Sequence, residues 1–185
     1  MKIKKGWNRI VFIFPSLEIA VKLPIVHLLK AVRGLIEYVS HLSSCNFKRL
    51  FRGLRREMAL PSDCDEYPYF RSFLFGGIMA NWRELLFFLK TKNPFLQPTY
   101  FSLCGVVNIQ KMGEPCLISR DELQERLYGL TNSANCDDGH HLSNPDNFCF
   151  DKGRFRILDY GNRKTQKIIT AHGVKIFESF SAKPQ

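Results

Sequence analysis

Phe148–Phe150 and Arg154–Leu158 are short runs of strand-forming residues separated only by the turn sequence Asp151-Lys152-Gly153. Such a spacing predicts a tight β-hairpin, and a hairpin returns the chain to the place it left. The residue before its first strand therefore becomes a neighbour of the residue after its second. Asn147 and Asp159 hold those two places. An amide oxygen beside a carboxylate is a pair of hard ligands of the kind Mg²⁺ accepts, with phosphate oxygens completing the shell.

Upstream, strand and helix periodicities alternate. Arg9–Phe14 and Glu18–Leu23, joined by Pro15-Ser16-Leu17, read as another hairpin behind a short leader. From Ile25 to Leu42, the residues Leu29, Val32, Leu35, Ile36, Val39 and Leu42 recur at helical intervals and predict an amphipathic helix. Lys48 to Met58 predicts a second, basic helix ended by Pro61-Ser62-Asp63. Gly76-Gly77 is expected to break the next apolar stretch, so that a helix runs from Asn81 to Lys90. Thr99–Gln110 is β-like. Ser119 caps a helix from Arg120 to Leu130, with Glu122 in the capping-box position. Asn132–Asn147 is polar and irregular, and a loop of this length inside a domain is more often functional than idle. Lys164–Phe180 predicts a closing helix.

The 185 residues suit one domain, or a small domain with an attached arm, and 45% hydrophobic content is enough for a core. Sixteen phenylalanines point to a core filled with rings or to a partly apolar surface. A formal charge of +10 predicts attraction to anions such as nucleotides, phosphorylated sugars or acidic lipid heads. No nucleic-acid-binding module accompanies that charge, so nucleic acid is set aside as a partner. The cysteines form no C-x-x-C pair, which argues against a zinc–sulfur site. Cys104 and Cys149 sit among apolar residues and read as small core hydrophobes. A reducing, cytoplasmic compartment is expected. Pro15 and Glu18 interrupt the signal-like start of the chain, and no uncharged apolar run reaches the ~18 residues of a bilayer span.

His140-His141-Leu142-Ser143-Asn144-Pro145-Asp146-Asn147, then the hairpin, then Asp159-Tyr160-Gly161, resembles the protein-kinase-like superfamily. In that family a catalytic loop of the H-x-D-x-x-x-x-N type leads through a short hairpin to an Asp-Phe-Gly-type triplet. Glu18-Ile19-Ala20-Val21-Lys22 likewise looks like the family's strand ending in Ala-x-Lys, and alternation puts Lys22 on the face of Ala20. The resemblance implies ATP and Mg²⁺ as cofactors. Lys22 would hold the phosphates, Asn147 and Asp159 the metal, and a helical glutamate would pair with Lys22. Glu84 fits the family order, and Glu37 is the alternative. The implied fold is a minimal kinase-like α+β arrangement. Residues 1–118 would supply a small antiparallel sheet with helices and a basic insertion at about 25–60, and 119–185 a reduced second lobe carrying the metal loop.

Three departures qualify the likeness. The family's catalytic Asp position is Leu142, no Gly-rich loop precedes the first hairpin, and little chain follows Asp159-Tyr160-Gly161. His141 is the nearest substitute base, and Leu142→Asp would restore transfer if only the base were missing. The expected function is ATP–Mg²⁺ binding, with phosphorylation of a sugar, lipid-linked saccharide or other small molecule if transfer occurs. The alternatives are a pseudokinase that binds a nucleotide or a partner, and a basic module on an anionic membrane surface through Ile25–Arg56.

Overall fold

The computed structural model describes residues 1–42, 70–138 and 141–180. Within them, helices and two antiparallel sheets make an α+β fold. The larger sheet holds β1 (Lys2–Lys5), β2 (Arg9–Phe14), β3 (Ile19–Pro24), β4 (Thr99–Leu103) and β5 (Val107–Lys111), in the spatial order β1-β2-β3-β5-β4. The smaller holds β6 (Glu114–Pro115), β7 (Phe148–Asp151) and β8 (Arg154–Ile157). The helices are α1 (Leu28–Leu42), α2 (Phe70–Thr91), α3 (Arg120–Thr131) and α4 (Arg163–Ser179). The expected basic helix at Lys48–Met58 lies outside the described residues, as does His140.

Both expected hairpins form, β2 against β3 and β7 against β8. In the second, Lys152 and Gly153 both take positive φ, the conformation a tight two-residue turn needs. The leader ahead of the first hairpin is itself a strand, since Lys2–Lys5 pair with Ile13–Ile10 of β2. Ser119 caps α3 as its sequence predicts, its hydroxyl accepting from the Glu122 amide at 3.3 Å.

Two expectations fail for identifiable reasons. Gly76-Gly77 does not break a helix but lies inside α2, which begins well before Asn81. A Cβ on Gly77 would stand 2.3 Å from the Asn8 carbonyl oxygen and 2.8 Å from Pro24 Cβ. The glycine is there to let the helix lie directly on the chain entering β2 and leaving β3. Cys104 is exposed rather than a core residue, because it opens the β4–β5 turn with φ of 48°. Cys149 is buried as expected, and burial pushes its thiol up to about 12.

The apolar core lies with the second sheet. Phe95, Phe148, Phe150, Phe155 and Phe180 pack there with Leu123, Leu127, Ile157, Ile169 and Ile176. Phe148 and Phe155 stack at 5.0 Å, and Phe155 stacks on Phe180 at 4.3 Å. Many of the phenylalanines thus find their use. The larger sheet is different: the face it covers carries Lys22, Thr99, Ser102, Asn108 and Gln110, all buried. α2 meets that face with Asn81 and Glu84.

Gly77→Ala should lower unfolding stability by about 1–3 kcal/mol, because the methyl meets backbone that cannot yield. Gly76→Ala is the control. Its Cβ would sit 3.4 Å from the flexible Asn8 amide, and the substitution should be neutral or gain up to ~1 kcal/mol of helix propensity. Urea denaturation of both variants reads the difference.

Candidate functional site

Lys22 and Glu84 meet. The Lys22 ammonium donates to Glu84 Oε2 at 2.8 Å, with Glu84 wholly buried and Lys22 nearly so. Register explains the lysine: Lys22 lies opposite Asn108 of β5, and the Asn108 amide donates to the same Glu84 oxygen at 2.9 Å. Helix position explains the glutamate. Asn81, one turn earlier on α2, donates to the Gly105 carbonyl at 2.9 Å and pins the helix to the β4–β5 turn. Glu84 is therefore the partner that the sequence order favoured. Glu37 falls on α1 at a position whose side chain is outside the described residues.

Asp159 arrives from the other side. The Leu158 amide donates to the Asn147 carbonyl at 2.7 Å, which closes the base of the hairpin. The Leu158 carbonyl then accepts from Lys22 at 2.7 Å and from Gln110 at 3.1 Å, tying the end of β8 to the first sheet. Tyr160 anchors the next step, its buried hydroxyl donating to the Gln97 carbonyl at 2.7 Å. Gly161 packs so tightly that a Cβ would stand 2.7 Å from the Ala80 carbonyl of α2. Each residue of Asp159-Tyr160-Gly161 thus has its own job, and the aspartate is the one left facing the cluster.

The sequence reading missed Arg9. Its Nη1 bonds Glu84 Oε1 at 2.6 Å, and its Nη2 bonds Asp159 Oδ1 at 2.5 Å. One guanidinium thus bridges a carboxylate on α2 to one at the end of the hairpin. Alternation alone does not place it, and the register of β2 on β3 does. Val11 pairs with Lys22, so Arg9, two residues before Val11, lies on the Lys22 face of the sheet.

Burial opposes the charge on Arg9, yet Asp159 and Glu84 outweigh it and hold the guanidinium firmly charged. Burial likewise pushes Asp159 up, but Arg9, then Lys22 and His141, pull its carboxyl well below the usual range. For Lys22 burial wins: its pKa is lowered despite Glu84, and Arg9 adds to the fall.

Asn147 and His141 lie on the loop side of the same base. The Asn147 amide nitrogen donates to the His141 carbonyl at 2.9 Å. His141 Nδ1 sits 3.2 Å from Asp138 Oδ1. Burial lowers the His141 pKa, but the Asp138 hydrogen bond and the charge of Asp159 carry it above the ordinary 6.5. A histidine biased toward its charged form suits holding an anion better than accepting a proton. Leu142, where the resemblance puts a base, is 1% exposed and part of the ring-filled core. An aspartate there would face leucine and phenylalanine side chains instead of a cleft, so Leu142→Asp should unfold the chain more readily and not gain transfer.

Do these residues fit Mg²⁺? Among the described residues, no group of three or more His, Cys, Asp or Glu side chains could hold a metal ion. The donors on offer are the Asn147 amide oxygen and Asp159, and one Asp159 oxygen is already occupied by Arg9. As folded, Asp159 is held by a guanidinium, and an ion there would share the carboxylate with Arg9. No protein-family model matches the chain, and neither a curated protein nor a solved structure matches it.

Glu84→Gln should cost about 3–5 kcal/mol, because it leaves two buried cations without their shared carboxylate. Urea denaturation measures it. The His141 imidazole should titrate above 6.5 in an NMR pH series. Its contribution to stability is complete below the unfolded value and fades as pH rises through the raised folded value. Asp138→Asn should bring the titration back down.

Proposed function

We propose that this chain is a kinase-like, nucleotide-binding protein of the pseudokinase kind, which takes ATP at the Lys22–Glu84–Asp159 cluster without transferring its phosphate. The observation that carries the reading is the buried 2.8 Å pair between Lys22 and Glu84, two residues 62 positions apart, formed beside the aspartate that ends the hairpin. An ion pair that costly to desolvate is poorly explained by stability alone, and perturbed charges gathered in one place are what binding and catalytic sites use. The ammonium has three donors. Glu84 and Leu158 take two, leaving one for phosphate. Asp159, whose side chain is 26% exposed, is where the cluster meets solvent, so a ligand approaches from there.

The absence of transfer rests on Leu142. A general base is worth about 10²–10⁴-fold, and a core leucine supplies none of it. Phosphorylation of a sugar or lipid-linked saccharide is the outcome that would move the reading to an active enzyme. ATP as ligand and the free thiols of Cys104, Cys116, Cys136 and Cys149 agree with a cytoplasmic location. No helix among the described residues is long and apolar enough to cross a membrane.

A second reading has its own observation. On α1, Leu28, Leu29, Val32 and Ile36 are exposed, and Lys30 lies over the Trp7 ring at 3.7 Å. Apolar side chains beside basic ones suit the surface of an anionic membrane. Sedimentation with phosphatidylserine vesicles at low and high salt tests it, and binding that is absent at low salt removes it.

ATP should raise the melting temperature, by the equivalent of ~2.7 kcal/mol at a hundredfold excess over the dissociation constant. Lys22→Met, checked as folded by circular dichroism because it takes a partner from buried Glu84, should abolish most of the shift. No shift at millimolar ATP, with or without Mg²⁺, would sink the nucleotide reading. ATP consumption that depends on an added saccharide would show the chain to be an active kinase instead.

A further inference from the structure

We propose that Arg9 stands in for the divalent metal at Asp159, so that the site holds nucleotide phosphate without Mg²⁺. The inference rests on the nucleotide reading above and deepens it.

A metal in a phosphate site does two things: it neutralises a carboxylate and presents positive charge to the phosphate oxygens. Arg9 already does the first. Its fork is engaged at both ends, at 2.6 Å from Glu84 and 2.5 Å from Asp159, and only 11% of the side chain is exposed. Asn81 Oδ1, 3.3 Å from Nη1, holds the same end of the fork. Its position is set by the strand, since Arg9 opens β2 opposite Pro24 of β3. With Arg9 and Lys22 against Glu84 and Asp159, the four charges cancel. A divalent ion added at Asp159 would share the carboxylate with a bound guanidinium, with Asp159 Oδ2 and the Asn147 amide oxygen as its protein oxygens. It would repel Arg9, and driving Arg9 off would leave Glu84 short of one of its two buried cations. Keeping Arg9 in place avoids both penalties. Incoming phosphate then meets the remaining donors of Arg9 and Lys22, with His141 alongside. Arginine suits this role because its rigid planar fork holds two oxyanions in a fixed geometry, where an ammonium is a rotatable point charge.

Calorimetric titration of the full chain with ATP, once in EDTA and once in Mg²⁺, tests the proposal. Wild type should bind in EDTA with an affinity within about threefold of that in Mg²⁺. Arg9→Gln should weaken binding in EDTA by ~10-fold or more, with Mg²⁺ restoring part of it. Because Arg9→Gln takes a partner from buried Glu84, circular dichroism must show it folded. Arg9→Lys, which keeps the charge but loses the fork, is the second variant and should also bind more weakly in EDTA. Wild-type binding that requires Mg²⁺ would overturn the proposal while leaving the nucleotide reading intact, as would a folded Arg9 variant that binds like wild type in EDTA. No ATP binding in either buffer would overturn both.

Discussion

Glu84 is a carboxylate with no access to water, and nearly everything about the larger sheet follows from satisfying it. Arg9 of β2, Lys22 of β3 and Asn108 of β5 all reach it. A single side chain on α2 therefore fixes the helix against three strands at once. The same interaction sets the relation between the two sheets, because Arg9 and Lys22 each extend a second bond to the end of the hairpin, at Asp159 and at the Leu158 carbonyl. Isolated, such a carboxylate would be intolerable. Surrounded by two cations and an amide, it becomes the organising centre, though one that apolar residues of similar size would have replaced at little loss of stability. That asymmetry is the physical reason for reading it as a site.

The molecule has two kinds of interior. Around the second sheet, phenylalanines stack on one another and on leucine and isoleucine, and shape does the work. Under the first sheet, the buried face is polar, and some of its groups find no partner: both polar atoms of the Gln97 amide, Asn108 Oδ1 and Gln110 Oε1. Buried polar atoms without partners are rare in folded proteins, and where they occur they point to water, an ion or a ligand. Asn108 bonds Glu84 and Gln110 bonds the Leu158 carbonyl that Lys22 also reaches, so these groups adjoin the charge cluster. Lys4 and Asp146 also span the two parts at 2.7 Å, but both are exposed, and such a pair contributes little.

Hairpins were the most legible part of the sequence, because turn chemistry and alternation are local: Pro15-Ser16-Leu17 and Asp151-Lys152-Gly153 sit where the chain reverses. The partner of Lys22 was legible too, from the order of elements. The limits of α3 and α4 were legible to within a residue, but the start of α2 was not. Gly76-Gly77 looks like a break until Asn8 and Pro24 are seen against it, and that contact joins residues far apart in the chain. Cys104 misled for the opposite reason, since its apolar neighbours belong to strands and it belongs to the turn between them. Arg9 was hidden because an arginine at the start of an apolar strand reads as a solvated end. Only the register of β2 on β3 turns it inward.

Leu142 and Arg9 point the same way although they lie on different elements. Transfer of a phosphoryl group needs positive charge that responds to the charge developing on the leaving and equatorial oxygens, which a metal shared between phosphates supplies. A guanidinium locked between two carboxylates is a weaker instrument, since Glu84 and Asp159 already neutralise much of what it would offer. It can hold an anion that arrives with full charge, but it has little left with which to favour the transition state over the ground state, and only that difference accelerates chemistry. A chain that binds nucleotide without transferring phosphate, as proposed above, loses nothing by making this exchange. On that reading, with a core leucine at the base position, the arginine has no catalytic function to spoil, and what it gains is a charge-balanced site already oriented before any ligand arrives.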